Sequence, residues 1–166
     1  MHRHPETEHA ALARELGRRV ERRSPIVEPE IHALAEHHLR AQVVGIAQQE
    51  PELHLGEDIV VPDLAGWRRE RMPELPHVAA IELGPDWCCE VLSKSTAAID
   101  RGEKLPIYAR ERVAYVWLVD PIVKTLEALR LDEATYRIVA TYHDDAKVRV
   151  EPFDAIELDL TILWAR

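Results

Sequence analysis

No apolar run in this chain approaches the ~18 residues that a membrane-spanning helix requires. Its opening stretch, MHRHPETEH, is too polar for a secretory signal. Both absences lead to the expectation of a protein that is neither inserted nor exported. Cysteine is scarce, with two in 166 residues, and Cys88 and Cys89 are adjacent. Neighbours on a strand point to opposite faces, which argues against an ordinary disulfide and fits a reduced, cytoplasmic setting. Positive charge is in deficit: 21 Lys and Arg stand against 30 Asp and Glu, for a net charge of −9. Loose nucleic-acid binding through a broad positive field is therefore not expected, although metal sites are built from acids and a basic patch can be local. The nine histidines show no zinc-site spacing and have no cysteines near them, so zinc is not expected either. No linker divides the sequence, and the expectation is one domain over residues 1–166.

Hydrophobic residues make up 46% and charged residues 31%, a globular balance. His9, Leu12, Ala13, Leu16 and Val20 form a helical stripe over residues 7–22, and a second helix is expected over about 30–41. EPELHLGEDIVVPDLAGW then alternates as a hairpin does around Gly-Glu-Asp. DWCCEVL and VAYVWLVDP are near-continuous apolar strands, with a helix expected between them over about 96–110. Pro106 falls inside that helix, so a kink or two short helices meeting near Gly102 are expected. KTLEALRL and TYRIVATY follow as a further hairpin, and AIELDLTILW alternates before a short apolar end. The order describes a mixed α/β domain with a central sheet. A near repeat, EPEIH at 28–32 and EPELH at 50–54, leaves residues 24–48 the least defined part of the reading.

The chemistry concentrates in EVLSKSTAAIDRGEKLPIY, residues 90–108. Glu90 shares a strand face with Cys88 and Leu92. A lone buried carboxylate costs several kcal/mol unless it is paired, protonated or bound to a metal. Asp63 lies in another apolar run, after Pro62. Two carboxylates on neighbouring strands repel each other, and a divalent cation converts that repulsion into binding. Hard oxygen ligands of this kind suit Mg²⁺ or Mn²⁺. Asp100, Lys104 and Tyr108 recur at i, i+4 and i+8, along one helical stripe. Two acids, a metal and a lysine are the parts that phosphodiester hydrolysis uses.

At this point the motifs resemble a family. PDLAGWRRERMP, EVLSKST, DRGEKLPIYAR and YVWLVDP, in that order, are similar to the Uma-type putative restriction endonuclease family of the PD-(D/E)xK nuclease superfamily. The likeness is close from about residue 50 to 164, and HPETEHAALARELG resembles the family's N-terminal helix. The resemblance implies a restriction-endonuclease-like mixed sheet flanked by helices, with residues 50–164 as the core and 1–48 as an atypical helical part. It makes Pro62-Asp63 the "PD" pair and Glu90 the acid of "(D/E)xK". Leu92 stands where the superfamily lysine falls, and Lys104 on the following helix matches the family's displaced lysine. DNA would be the substrate, Mg²⁺ or Mn²⁺ the cofactor, and a homodimer the assembly the superfamily suggests. His9 would lie near the site, and Glu8 or Glu52 would supply an additional acid. Where family members commonly carry proline and glycine, this chain has Lys94 and Arg112, and the missing glycine is expected to strain the turn into VAYVWLVD.

Each assignment has a plainer counterpart. Glu90 could be a structural carboxylate. Asp100 and Lys104 could form a surface pair, in place of a role for Asp100 in holding Lys104. Tyr108 reads as a packing residue with a bonded hydroxyl, and Asp120, before Pro121, as a turn former. Arg68, Arg69 and Arg71 could contact phosphates or pair with Glu70 and Glu74 in a solvated loop. At the level of the whole protein, the alternatives to a nuclease are a binding module with a silent site and a hydrolase of small phosphate esters.

Overall fold

The computed structural model describes residues 45–94 and 96–164. The helices expected over 7–22 and 30–41, together with Glu8, His9 and the first copy of the near repeat, lie outside the described residues.

Six strands form the central sheet: β1 (Gly45–Gln49), β4 (Leu64–Arg68), β5 (Trp87–Val91), β6 (Tyr115–Asp120), β7 (Thr125–Asp132) and β8 (Thr135–His143). Their spatial order is β1-β4-β5-β6-β7-β8. Only the β5–β6 pair is parallel, and the helical segment over residues 97–110 connects it. The hairpin expected over EPELHLGEDIVVPDLAGW forms only as β2 (Leu53–Leu55) with β3 (Asp58–Val60), a small antiparallel ladder outside the main sheet, because the chain breaks at Pro62 and the remainder of the second arm joins the central sheet as β4. β7 and β8 form the second expected hairpin, with a register shift at Ala128/Leu129. The fold is thus mixed α and β around a mixed sheet.

Strands β5 and β6 are buried on both faces, which is why they read as unbroken apolar runs and not as alternation. On one face Cys88, Val116, Leu118, Ala65 and Trp67 pack with Tyr108 of the helical segment. On the other, Trp87, Cys89, Trp117 and Val119 pack under the C-terminal tail. Cys88 and Cys89 are buried free thiols on opposite faces, as strand geometry requires. Phe153 from the tail meets Trp87 and Trp117 edge-to-face, with ring centroids 5.0 and 5.5 Å away. The expected alternating tail is only a two-residue strand, β10 (Leu158–Asp159), paired with β9 (Lys147–Val148). Leu160–Leu163 then turns into a 3₁₀ helix, because the Asp159 side chain accepts the Thr161 N–H at 3.0 Å and caps its start.

The helical segment resolves the Pro106 conflict. It runs as α1 (Ala97–Ile99), a π-helical turn (Asp100–Lys104) and α2 (Leu105–Arg110). Pro106 sits in the first turn of α2, where its missing N–H matters least. The wider turn, in which the Leu105 N–H bonds the Asp100 carbonyl, absorbs the mismatch just upstream. At the other end, Val113 N–H bonds Tyr108 C=O at 2.9 Å and Arg112 N–H bonds Ala109 C=O at 3.1 Å. This is a Schellman closure, and it sets Arg112 at φ 61° in the left-handed region that favours glycine. Asp120 accepts the N–H groups of Ile122 and Val123 at 2.9 and 3.2 Å, so it holds the β6–β7 turn as its position before a proline suggested.

Candidate active site

Asp63 precedes the first residue of β4, and Leu64 is the register partner of Cys89 on β5. Continuing that antiparallel ladder by one residue sets Asp63 opposite Glu90. Its carboxylate accepts the Val91 backbone N–H at 2.5 Å, which ties the two strands together at the site. Glu90 is fully buried and points to the face covered by the helical segment.

The π turn delivers the remaining groups. Asp100 and Lys104 are both buried on it, at 1% and 7% exposure, so they are not a surface pair. Lys104 Nζ donates to Glu90 Oε2 at 2.8 Å and to the Val61 carbonyl at 3.1 Å. It also lies 3.0 Å from Asp100 Oδ1. That last contact is an ion pair without the angle of a directed hydrogen bond, because Asp100 Oδ1 has no hydrogen-bond partner. Tyr108, one turn further on, donates its hydroxyl to Glu90 Oε1 at 2.5 Å. Both Glu90 oxygens are therefore engaged, one by an ammonium and one by a phenol.

The electrostatics follow from three carboxylates, Asp63, Glu90 and Asp100, around one ammonium. Burial pushes the Glu90 carboxyl up, Lys104 pulls it down, and Asp63 and Asp100 push it up again, leaving it at about 8. Burial works against the charged form of Lys104, but Glu90 and Asp100 outweigh it and hold the ammonium above the usual lysine range. The Tyr108 hydroxyl is raised, first by burial and then by Glu90. The negative charge of the cluster exceeds what Lys104 can balance, and its donors are hard oxygens. Each Glu90 oxygen accepts one bond and retains a second lone pair. In chemical type this donor set suits a small divalent cation, and Asp63 and Glu90 are the residues that would hold it. Among the described residues no group of three His, Cys, Asp or Glu side chains is arranged as an all-protein cage.

Five of the residues singled out from sequence meet here: Asp63, Glu90, Asp100, Lys104 and Tyr108. The arginines do not. Arg68 ends β4, five residues beyond Asp63 and so ~16 Å along the strand at ~3.3 Å per residue. Arg68 and Arg69 are exposed, and Arg71 pairs with Asp86 at 2.9 Å. Glu52 is bonded to the exposed His54 at 2.7 Å. The Val61 carbonyl, which accepts from Lys104, carries no signal in the sequence because any residue supplies it. A cavity lined by Gly66, Trp87 and Tyr115 opens at the opposite end of β4, β5 and β6 and is separate from these groups.

A solved structure shares this architecture. The crystal structure of "a putative nuclease belonging to DUF820" from Anabaena variabilis matches with a TM-score of 0.68 and 19% identity, covering 87% of this chain and 83% of that one. At that identity the likeness establishes the fold. No curated protein matches the chain. The sequence profile of the Uma2 family, described as "Putative restriction endonuclease", matches residues 5–162. That span includes every residue of the cluster, and the chain belongs to the Uma2 family of putative restriction endonucleases.

Proposed function

We propose that the protein is a metal-dependent endonuclease that hydrolyses DNA phosphodiester bonds. The observation that carries this reading is Lys104 Nζ, fixed 2.8 Å from Glu90 and 3.0 Å from Asp100 on the face shared with Asp63. Asp63 and Glu90 would hold Mg²⁺ or Mn²⁺. Such an ion, when bound, polarises a phosphate and makes a bound water more acidic. Asp63 is half-buried while Glu90 is enclosed, so the phosphate approaches on the Asp63 side. Lys104 is a fixed cation that stabilises charge developing on the phosphate oxygens. Asp100 and the Val61 carbonyl hold the ammonium in place, and Tyr108 orients the Glu90 carboxylate. Arg68 and Arg69 lie about five nucleotide rises from Asp63 at ~3.4 Å per step, suited to the flanking backbone and not to the reacting phosphate.

The test is incubation of plasmid DNA with Mg²⁺ or Mn²⁺, comparing wild type with Glu90→Ala and Lys104→Ala. Wild type should cut, and both variants should lose cutting while keeping a folded circular-dichroism spectrum. Cutting that survives both substitutions removes this assignment. The ~16 Å between the exposed arginines and Asp63 favours one second reading, hydrolysis of small phosphate esters, which needs no basic track beside the acids. Turnover of a chromogenic phosphodiester with no plasmid cleavage would select it.

A further inference from the structure

The connection that follows β5 runs beside the acid cluster and is tied to it at both ends. At its start the Val91 N–H bonds the Asp63 carboxylate at 2.5 Å, and the Leu92 N–H bonds the Val119 carbonyl at 2.7 Å. At its far end Asp100, whose N–H bonds the Thr96 carbonyl at 2.8 Å, lies 3.0 Å from Lys104 Nζ. Between these anchors Ser93 and Thr96 bond each other reciprocally. Each backbone N–H meets the other's hydroxyl at 3.2 Å, and the two hydroxyls are 3.0 Å apart. Lys94 sits inside this closed turn and is exposed, whereas Leu92 is buried and Ser93 half-buried. It is three residue steps from the Val91 N–H that bonds Asp63, so its Cα lies within ~11 Å of that bond even at full extension.

Charge gives Lys94 its significance. Three carboxylates face one ammonium in the cluster, in a chain of net charge −9, so a phosphodiester meets repulsion as it approaches. The other cations at this end of the sheet are engaged. Lys104 is buried against Glu90, Arg101 pairs with Glu127 at 2.5 Å, and Lys124 lies 3.9 Å from Asp145. Among the described residues the Lys94 side chain has no hydrogen-bond or ion-pair partner. Its backbone is fixed by the turn, and its flexible stem leaves the ammonium free to follow an anion. A compact ammonium meets a phosphate as a point charge, without reading sequence.

We propose that Lys94 binds the DNA backbone at a phosphate flanking the reacting one, and so supplies attraction that the acid cluster lacks. At ~3.4 Å of rise per nucleotide, a reach of ~11 Å sets the contact within about three nucleotides of the cut, nearer than Arg68 and Arg69. The inference rests on the DNA-hydrolysing reading for its substrate, but it concerns binding and not bond cleavage.

The experiment is titration of a fluorescent DNA duplex with the full chain, followed by anisotropy in EDTA from about 50 to about 200 mM salt. Lys94→Gln should weaken binding about five- to tenfold at ~0.1 M salt and lower the slope of log affinity against log salt by about 0.9, the contribution of one phosphate contact. Lys94→Arg should retain both. Lys147→Gln makes the same charge change on β9, which packs on the other face of the sheet through Val148, and should alter neither. In Mg²⁺, Lys94→Gln should raise KM for plasmid cleavage and leave kcat unchanged. An unchanged salt slope in Lys94→Gln, or an equal loss in Lys147→Gln, overturns the proposal; the nuclease reading survives that result if Glu90→Ala and Lys104→Ala still abolish cutting. The Lys94 losses with no cutting by wild type keep this contact and sink the hydrolysis. Wild type that binds no duplex overturns the contact whether or not it cuts.

Discussion

Lys104→Met isolates the electrostatic claim on which the site depends. The substitution keeps an unbranched chain of similar length and deletes an ammonium that is 9% exposed and within 3.1 Å of three acceptors. Removing one partner of a buried ion pair costs about 3–5 kcal/mol when the other partner is left charged. Here the remaining partner can escape by taking a proton, since Glu90 titrates at about 8 in the folded protein. At pH 6 Glu90 is mostly neutral, so the loss should be smaller, about 1–2 kcal/mol from the unpaired Asp100 and the Val61 carbonyl. At pH 9 wild-type Glu90 is ionised beside a charged Lys104, whereas the variant's Glu90, no longer pulled down by Lys104, still takes a proton, so the cost should grow by about 1.4 kcal/mol, the equivalent of one pH unit above 8, to ~2.5–3.5 kcal/mol. Urea unfolding in EDTA at both pH values gives the two differences. A cost below ~1 kcal/mol at pH 9, or one that does not grow between pH 6 and pH 9, would refute the argument that this ammonium balances buried carboxylates.

Tyr108→Phe removes one short bond to Glu90 without opening a cavity, and at pH 9, where Glu90 is ionised, should destabilise by about 1.5–3 kcal/mol in chemical denaturation, the range for a hydrogen bond to a charged group. Arg112→Gly should raise stability by up to ~1 kcal/mol, measured by thermal unfolding, because the residue now occupies a left-handed position that glycine adopts without strain. The Glu90 carboxyl is raised from 4.5 to about 8 on folding, so the native protein holds the extra proton between those values. The stability Glu90 contributes is therefore complete below pH 4.5 and lost as pH rises through 8, and the metal-free melting temperature should fall across that window. A proton and a cation compete for the same carboxylate, so the Mg²⁺-induced rise in melting temperature should grow over the same interval and vanish in Glu90→Gln; a shift that is flat with pH would contradict a Glu90 ligand.

The sequence by itself determined most of the strands, though not β1, β9 or the division of IVVPDLAGW between β3 and β4, and it determined the reach of the chemistry. Strand periodicity placed Glu90 on the face of Cys88, and both hairpins and the β5–helix–β6 unit were legible because apolar runs and turn residues are local signals. Likewise the i, i+4, i+8 stripe showed that Asp100, Lys104 and Tyr108 could act together. It could not show which way the stripe faced: a surface pair and a buried cluster have the same spacing, and only packing of the helical segment against β5 buried it. Nor could it foresee the π turn that reconciles Pro106 with a continuous helical path, since that depends on the Asp100 carbonyl finding a donor one residue further along. The arginines from Arg68 onward follow Asp63 closely in sequence, yet the extended strand carries Arg68 ~16 Å away, because each strand residue advances the chain by ~3.3 Å. The cavity beside Trp87 is wholly tertiary, joining residues 66–68 to a tail that arrives over eighty positions later. Side-chain type and spacing are written along the chain, whereas burial, direction and which distant segments meet are decided only when the sheet, the helical segment and the tail close upon one another.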